Sequence, residues 1–115
     1  MSCTGLHTFG DMNALDIIDE YAFKGCDKLE TVGRMDALHT IGYGAFLGCT
    51  ALRHFHIPQT MDMVFRRAFS GCDQLRVTVA SGDFSFICAD ETLRAKIATD
   101  PRVNFESNNM VIVVA

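Results

Sequence analysis

Residues 21–26, 44–49 and 67–72 carry one pattern three times, Tyr21-Ala22-Phe23-Lys24-Gly25-Cys26, Gly44-Ala45-Phe46-Leu47-Gly48-Cys49 and Arg67-Ala68-Phe69-Ser70-Gly71-Cys72, each displaced by 23 residues from the last. A fixed period of that length dictates a solenoid, in which each coil buries its apolar side against its neighbours. The register extends beyond the signature: Leu15, Leu38 and Met61 form one column, Ile18, Ile41 and Val64 a second, and Leu29, Leu52 and Leu75 a third. Run backward, the period matches Leu6–Leu15 to Leu29–Leu38 and sets Cys3 where Cys26 stands. The chain therefore opens in mid-coil with a partial repeat over residues 1–14, continues through full repeats at 15–37, 38–60 and 61–83, and reads as the C-terminal part of a longer protein.

Each coil offers two short extended pieces. In the middle repeat these are Leu38 to Ile41 and Leu52-Arg53-His54-Phe55-His56-Ile57. Side chains of an extended piece alternate between two faces. Leu52, Phe55 and Ile57 do not alternate strictly, so a kink is expected after Leu52. A helical turn is expected through Ala45–Cys49. Stacked coils place equivalent residues about 5 Å apart, which makes Phe23, Phe46 and Phe69 an internal aromatic ladder. Ala22, Ala45 and Ala68 are small where the turn passes close to the coil beneath.

The columns Ile41-Gly42, Ala45-Phe46, Cys49, Leu52, Phe55 and Ile57-Pro58 of the middle repeat resemble the BspA-like, or Treponema pallidum-type, leucine-rich repeat. The first repeat lacks the Ile-Pro, and the third has Val64-Phe65 in place of Ile-Gly. The resemblance covers residues that make up about two thirds of the chain and implies an α/β repeat solenoid of short parallel strands and helical turns. It also implies a protein-protein interaction module. Repeats of this type are linked to adhesion and to binding of host or matrix proteins by surface proteins of bacteria and parasitic protists, so a cell-surface or secreted setting is the corresponding expectation.

Composition narrows the function classes. The chain has 115 residues, 49% of them apolar, and a net charge of -4, with ten scattered lysines and arginines. One structural domain is expected. There is no basic footprint for a nucleic-acid backbone. The longest apolar run, Met110 to Ala115, is too short to cross a bilayer, and the N-terminal residues have neither the basic region nor the apolar core of a signal peptide.

Cys3, Cys26, Cys49 and Cys72 share a column and are expected as small buried apolar groups along the solenoid axis. Metal binding would want paired Cys-x-x-Cys or Cys/His spacing, which does not occur. Disulfides between stacked neighbours are sterically thinkable, although parallel side chains lack the required dihedral and five is an odd number. Cys88 lies outside the ladder, as a reactive thiol or as a buried member of the cap. His54 and His56 flank Phe55 and project from one side of a strand, a spacing that can hold a metal. The columns above and below supply no third ligand, and exposed histidines on a binding face are the expectation. No nucleophile motif, glycine-rich phosphate loop or spaced carboxylate pair appears, so no catalytic, cofactor or metal site is assigned.

After Asp83 the period fails, and residues 84–115 are read as an α/β cap. Phe84–Cys88 is expected as a strand, Asp90 as an N-cap, and Glu91–Thr99 as a helix with Leu93 and Ile97 on one face, ended by Pro101. Val103–Phe105 and Met110–Val114 add short strands. At the other end Leu6 and Phe9 lie on an uncapped edge, a template for homo-oligomer formation. The outward column His7, Glu30, Arg53 and Arg76, with Thr31, His54 and His56 beside it, is the expected partner-binding face. Two function classes follow: an adhesin-type module for a protein partner, or an intracellular structural scaffold that assembles partners or itself.

Overall fold

A computed structural model describes residues 5–115, so Cys3 lies outside the described residues. Four short strands, β1 (Thr8–Phe9), β3 (Thr31–Val32), β5 (His54–Ile57) and β7 (Arg76–Val79), stack in parallel as one sheet in the order β1-β3-β5-β7. A second sheet runs β2-β4-β6-β8-β10-β9, built from β2 (Ile17–Ile18), β4 (Thr40–Ile41), β6 (Met63–Val64), β8 (Phe84–Cys88), β10 (Met110–Val113) and β9 (Val103–Phe105). Each coil contributes one strand to each sheet. The 23-residue period is visible in the pairing of Ile17 with Thr40, Thr40 with Met63, and Thr31 with His54. The chain is therefore a β-solenoid of 23-residue coils.

The segment joining the two sheets holds the Ala-Phe-x-Gly-Cys signature and differs from the expected helical turn. It is a run of single turns in which Ala45, Leu47 and Cys49 donate backwards to Gly42, Gly44 and Phe46 of the same coil at 3.0–3.1 Å. The intervening amides of Gly44, Phe46 and Gly48 donate instead to Arg66, Ala68 and Ser70 of the next coil at 2.7–3.1 Å. Positive φ at Gly44 (61°) and Gly48 (77°) breaks the right-handed winding that a helix would need. The turn thus works as a third inter-coil ladder, and every second amide ties one coil to the next.

Phe23, Phe46 and Phe69 stack with centroids 5.2 Å apart and interplanar angles of 9° and 5°, and Phe55 meets Phe46 and Phe69 edge-on at 5.7 and 5.1 Å. Leu29, Leu38, Ile41, Leu52, Ile57, Met61 and Leu75 fill the space around this ladder in one continuous core. The burial of Leu52 and Phe55, with two exposed residues between them, is the kink expected after Leu52. The cysteine column is buried as expected, and its thiols are bonded: Cys49 Sγ donates to the Phe23 carbonyl at 3.1 Å and Cys72 Sγ to the Phe46 carbonyl at 3.2 Å. Cys49, Cys72 and Cys88 are free thiols. Cys26 is disulfide-bonded, which corrects the expectation of a uniform column of apolar thiols.

Beyond Val79 a longer turn lets β8 rejoin the second sheet, where Cys88 pairs with Val64 at a spacing of 24 rather than 23 residues. The hairpin of β9 and β10 then extends this sheet antiparallel, with Val111 and Val113 turned into the core and Met110 and Ile112 half-buried. Helix α1 (Glu91–Ile97) lies across the last coil with Leu93 and Ile97 buried. Asp90, the one buried charged residue among those described, caps it: Oδ2 accepts the Leu93 amide at 2.8 Å. Its Oδ1 accepts the Phe69 amide at 3.3 Å. In the two lower coils the equivalent amides, of Phe23 and Phe46, are taken by the next coil's main-chain carbonyls of Ala45 and Ala68 at 2.7 Å. Asp90 therefore stands in for the carbonyl of a coil that is not there. At the opposite end Leu6, Phe9, Leu15 and Phe23 are only partly buried, whereas Leu38 and Phe46 in the columns above them are completely covered. Among the described residues no helix is long and apolar enough to cross a membrane.

Candidate interaction face

The outward side of the first sheet carries the residues expected to face a partner. Alternation along β5 turns Phe55 and Ile57 inward and leaves His54 and His56 exposed; the adjacent strands present Thr8, Thr31, Arg76 and Thr78. Parallel stacking brings these side chains into lateral rows. Thr8 and Thr31 share a hydrogen bond between hydroxyls at 2.8 Å, and Arg53 Nη2 lies 2.5 Å from Glu30 Oε1. His7 is exposed at the lower end of the face, and its carbonyl receives the Glu30 amide at 2.8 Å. Arg34 beside this row pairs with Asp36 at 3.3 Å.

Arg76 does not continue the column of His7, Glu30 and Arg53 as the constant period implied. It pairs with His54, and Val77 and Thr78 pair with Phe55 and His56, a spacing of 22 residues. The cause is the kink of the middle coil: two residues separate the inward Leu52 from the inward Phe55, but only Arg76 separates Leu75 from Val77. Apolar alternation, Phe55-His56-Ile57 against Val77-Thr78-Val79, carried this signal in the sequence. It also would have identified Thr78, which the expected face omitted. The Thr78 hydroxyl stands between both imidazoles, 2.7 Å from His56 Nδ1 and 3.2 Å from His54 Nε2.

Burial holds the His56 imidazole below the ordinary histidine range, reinforced by neighbouring His54 and by Arg34, with Asp36 opposing. A neutral imidazole has one donor and one acceptor nitrogen, and with Nδ1 bonded to Thr78 the His56 ring leaves Nε2 to a partner. A shallow cleft of about 300 Å³ beside the pair is lined by Val32, Gly33, Met35, His54 and His56 among others. No group of three or more histidine, cysteine, aspartate or glutamate side chains is arranged to hold a metal ion among the described residues. The face offers alternating hydroxyl, imidazole and ion-paired groups across four strands. Such a surface suits hydrogen bonding to another macromolecule.

A family model described as the BspA type leucine rich repeat region, in six copies, matches residues 1–91. No curated protein and no solved structure matches the chain.

Proposed function

The chain belongs to the BspA-type leucine-rich repeat family, and from that premise we propose that it is a protein-interaction module of adhesin type, binding a host or matrix protein through the outward side of β1, β3, β5 and β7. The carrying observation is the polar row across these strands, in which Thr31, His54, His56 and Thr78 are exposed while the opposite side of the same strands supplies the core. Function on a repeat scaffold resides in its exposed surface rather than in the coil itself. His7, Glu30, Arg53 and Arg76 border the row and supply charge at its margin. Solenoids of this kind are typically non-enzymatic, and the proposal assigns no catalytic residue.

The test is biolayer interferometry against a panel of immobilised extracellular-matrix proteins, with wild type beside Thr31→Arg and His54→Glu. Loss of binding in both variants, with the fold intact by circular dichroism, supports the reading. Equal binding by wild type and variants moves the interaction off this face and overturns it.

A second reading, a self-assembling scaffold, is favoured by the lower end of the solenoid. There Leu6, Leu15 and Phe23 are partly exposed although Leu29, Leu38 and Phe46 in the same columns are covered, Phe9 is partly exposed beside them, and the outer edges of β1 and β2 pair with no other strand among the described residues. Unpaired edges of that kind recruit further strands.

A further inference from the structure

At the upper end of the interaction face, a cleft of about 570 Å³ opens between the start of β7 and the last turn of helix α1, lined by Arg53, Asp73, Gln74, Leu75, Arg76 and Lys96. Three cations meet one anion there, on a chain whose net charge is -4. Their roles differ. Arg53 is held by Glu30 at 2.5 Å, and the Lys96 ammonium donates to the Asp73 carbonyl at 3.3 Å. Arg76 makes no ion pair and no side-chain hydrogen bond among the described residues, although it is exposed beside both.

We propose that this cleft is a carboxylate-binding subsite for an acidic peptide segment of the partner, with Arg76 as the clamp and Arg53 and Lys96 as flanking cations. The inference rests on the interaction-module reading and specifies its partner chemistry. A planar guanidinium presents paired N–H donors that match a carboxylate with two parallel hydrogen bonds, and such charge-assisted pairs are among the stronger polar contacts. The remaining donors of Arg53 and the fixed ammonium of Lys96 then neutralise a second acidic group nearby. Long polyanions fit poorly, because the negative charge of the rest of the chain repels them beyond the local positive field. The 22-residue step between β5 and β7 makes the geometry. It moves Arg76 out of the Arg53 column to lie opposite His54, so the two guanidinium groups leave the row at different positions instead of stacking.

The experiment is an NMR titration of the ¹⁵N-labelled chain with four probes: N-acetylated, C-amidated tetraglutamate; acetylated, amidated tetraserine; acetyl-diglycine with a free C-terminal carboxylate; and inorganic phosphate. Tetraglutamate is expected to shift the amides of Gln74, Leu75, Arg76 and Lys96, to bind about tenfold more weakly to Arg76→Ala, and to lose affinity as salt rises. Tighter binding of acetyl-diglycine than of tetraglutamate would transfer the site to a chain terminus and overturn the side-chain assignment. Phosphate binding as tightly as tetraglutamate, or an Arg76→Ala variant that binds like wild type, also overturns it. Thr31→Arg, two strands away, separates this inference from the broader reading. If matrix-protein binding is lost in Thr31→Arg but kept in Arg76→Ala, the face stands and the subsite falls; if it survives Thr31→Arg, the face itself is wrong.

Discussion

Asp90 ends the inter-coil ladder and begins the cap helix with a single side chain, so its replacement probes both at once. Asp90→Ala removes the acceptor of the Leu93 amide, an N-cap bond of 2.8 Å, at a cost of about 1 kcal/mol. It also leaves the Phe69 amide, bonded to Oδ1 at 3.3 Å in a fully covered position, without a partner, for about 1–3 kcal/mol more. Burial raises the Asp90 carboxyl above its ordinary range, with the two amide bonds opposing. Removing a desolvated charge therefore returns part of the loss, and a net destabilisation of about 2–3 kcal/mol is expected. With a urea dependence of about 1.5–2 kcal/mol per molar, the midpoint falls by about 1–2 M. Asp90→Asn keeps a side-chain oxygen for the helix and carries no charge, so it should lose less than half as much. Hydrogen exchange should show faster exchange at Phe69 and Leu93 in Asp90→Ala. A midpoint drop below about 0.3 M, or an Asp90→Asn variant as unstable as Asp90→Ala, refutes the assignment of Asp90 as a substitute for a coil carbonyl.

Phe46→Ala, at the fully buried centre of the ring stack, should cost about 3–5 kcal/mol in urea unfolding, and Phe23→Ala less, because Phe23 is only partly buried. Burial pushes the free thiols up to about 11 for Cys49 and about 12 for Cys72 and Cys88, so Ellman's reagent at pH 8 should leave all three unmodified until urea unfolds the chain; prompt labelling of any one contradicts its burial. His56 takes up a proton less readily in the fold than in the unfolded chain, where an imidazole titrates near about 6.5. Stability should therefore fall as pH drops through that value, and His56→Gln should flatten the dependence of the urea midpoint between pH 8 and pH 5. Light scattering on the 115-residue chain should give an oligomer that becomes monomeric on combining Leu6→Glu and Phe9→Glu; an unchanged mass in that variant excludes the lower edge as the contact.

The coil architecture was legible because one period fixed several columns together. Once Phe23, Phe46 and Phe69 recur at equal spacing, stacking follows without knowledge of loop geometry. The cap helix was legible for local reasons, since Asp90, the Leu93 and Ile97 pair and Pro101 are start, face and stop signals. What escaped was whatever a constant period averages away. The kink between Leu52 and Phe55 uses one residue more than the path from Leu75 to Val77, and that single residue relocated Arg76 and brought Thr78 between the histidines. The signature turn differs from the expected helical turn because left-handed glycines and bonds to the next coil make it a ladder. The second bond of Asp90 had no signal at all, because it answers an amide 21 residues away. The disulfide at Cys26 likewise departs from a column whose upper members remain thiols.

Because each interior turn bonds only to the turns directly above and below it, and the last is closed by a side chain rather than by a matched coil, neither terminus encodes how many coils lie between. A duplication or deletion of one 23-residue unit joining equivalent columns, such as Leu38 to Met61, leaves the closing contacts of Asp90 untouched. Near-identical signatures are also the places where misaligned recombination exchanges whole units. Copy number is thus free to drift without a compensating change elsewhere, and every added unit lengthens the exposed polar row by one strand. This architecture lets the length and composition of the exposed face change by arithmetic steps while the mechanism of closure stays the same.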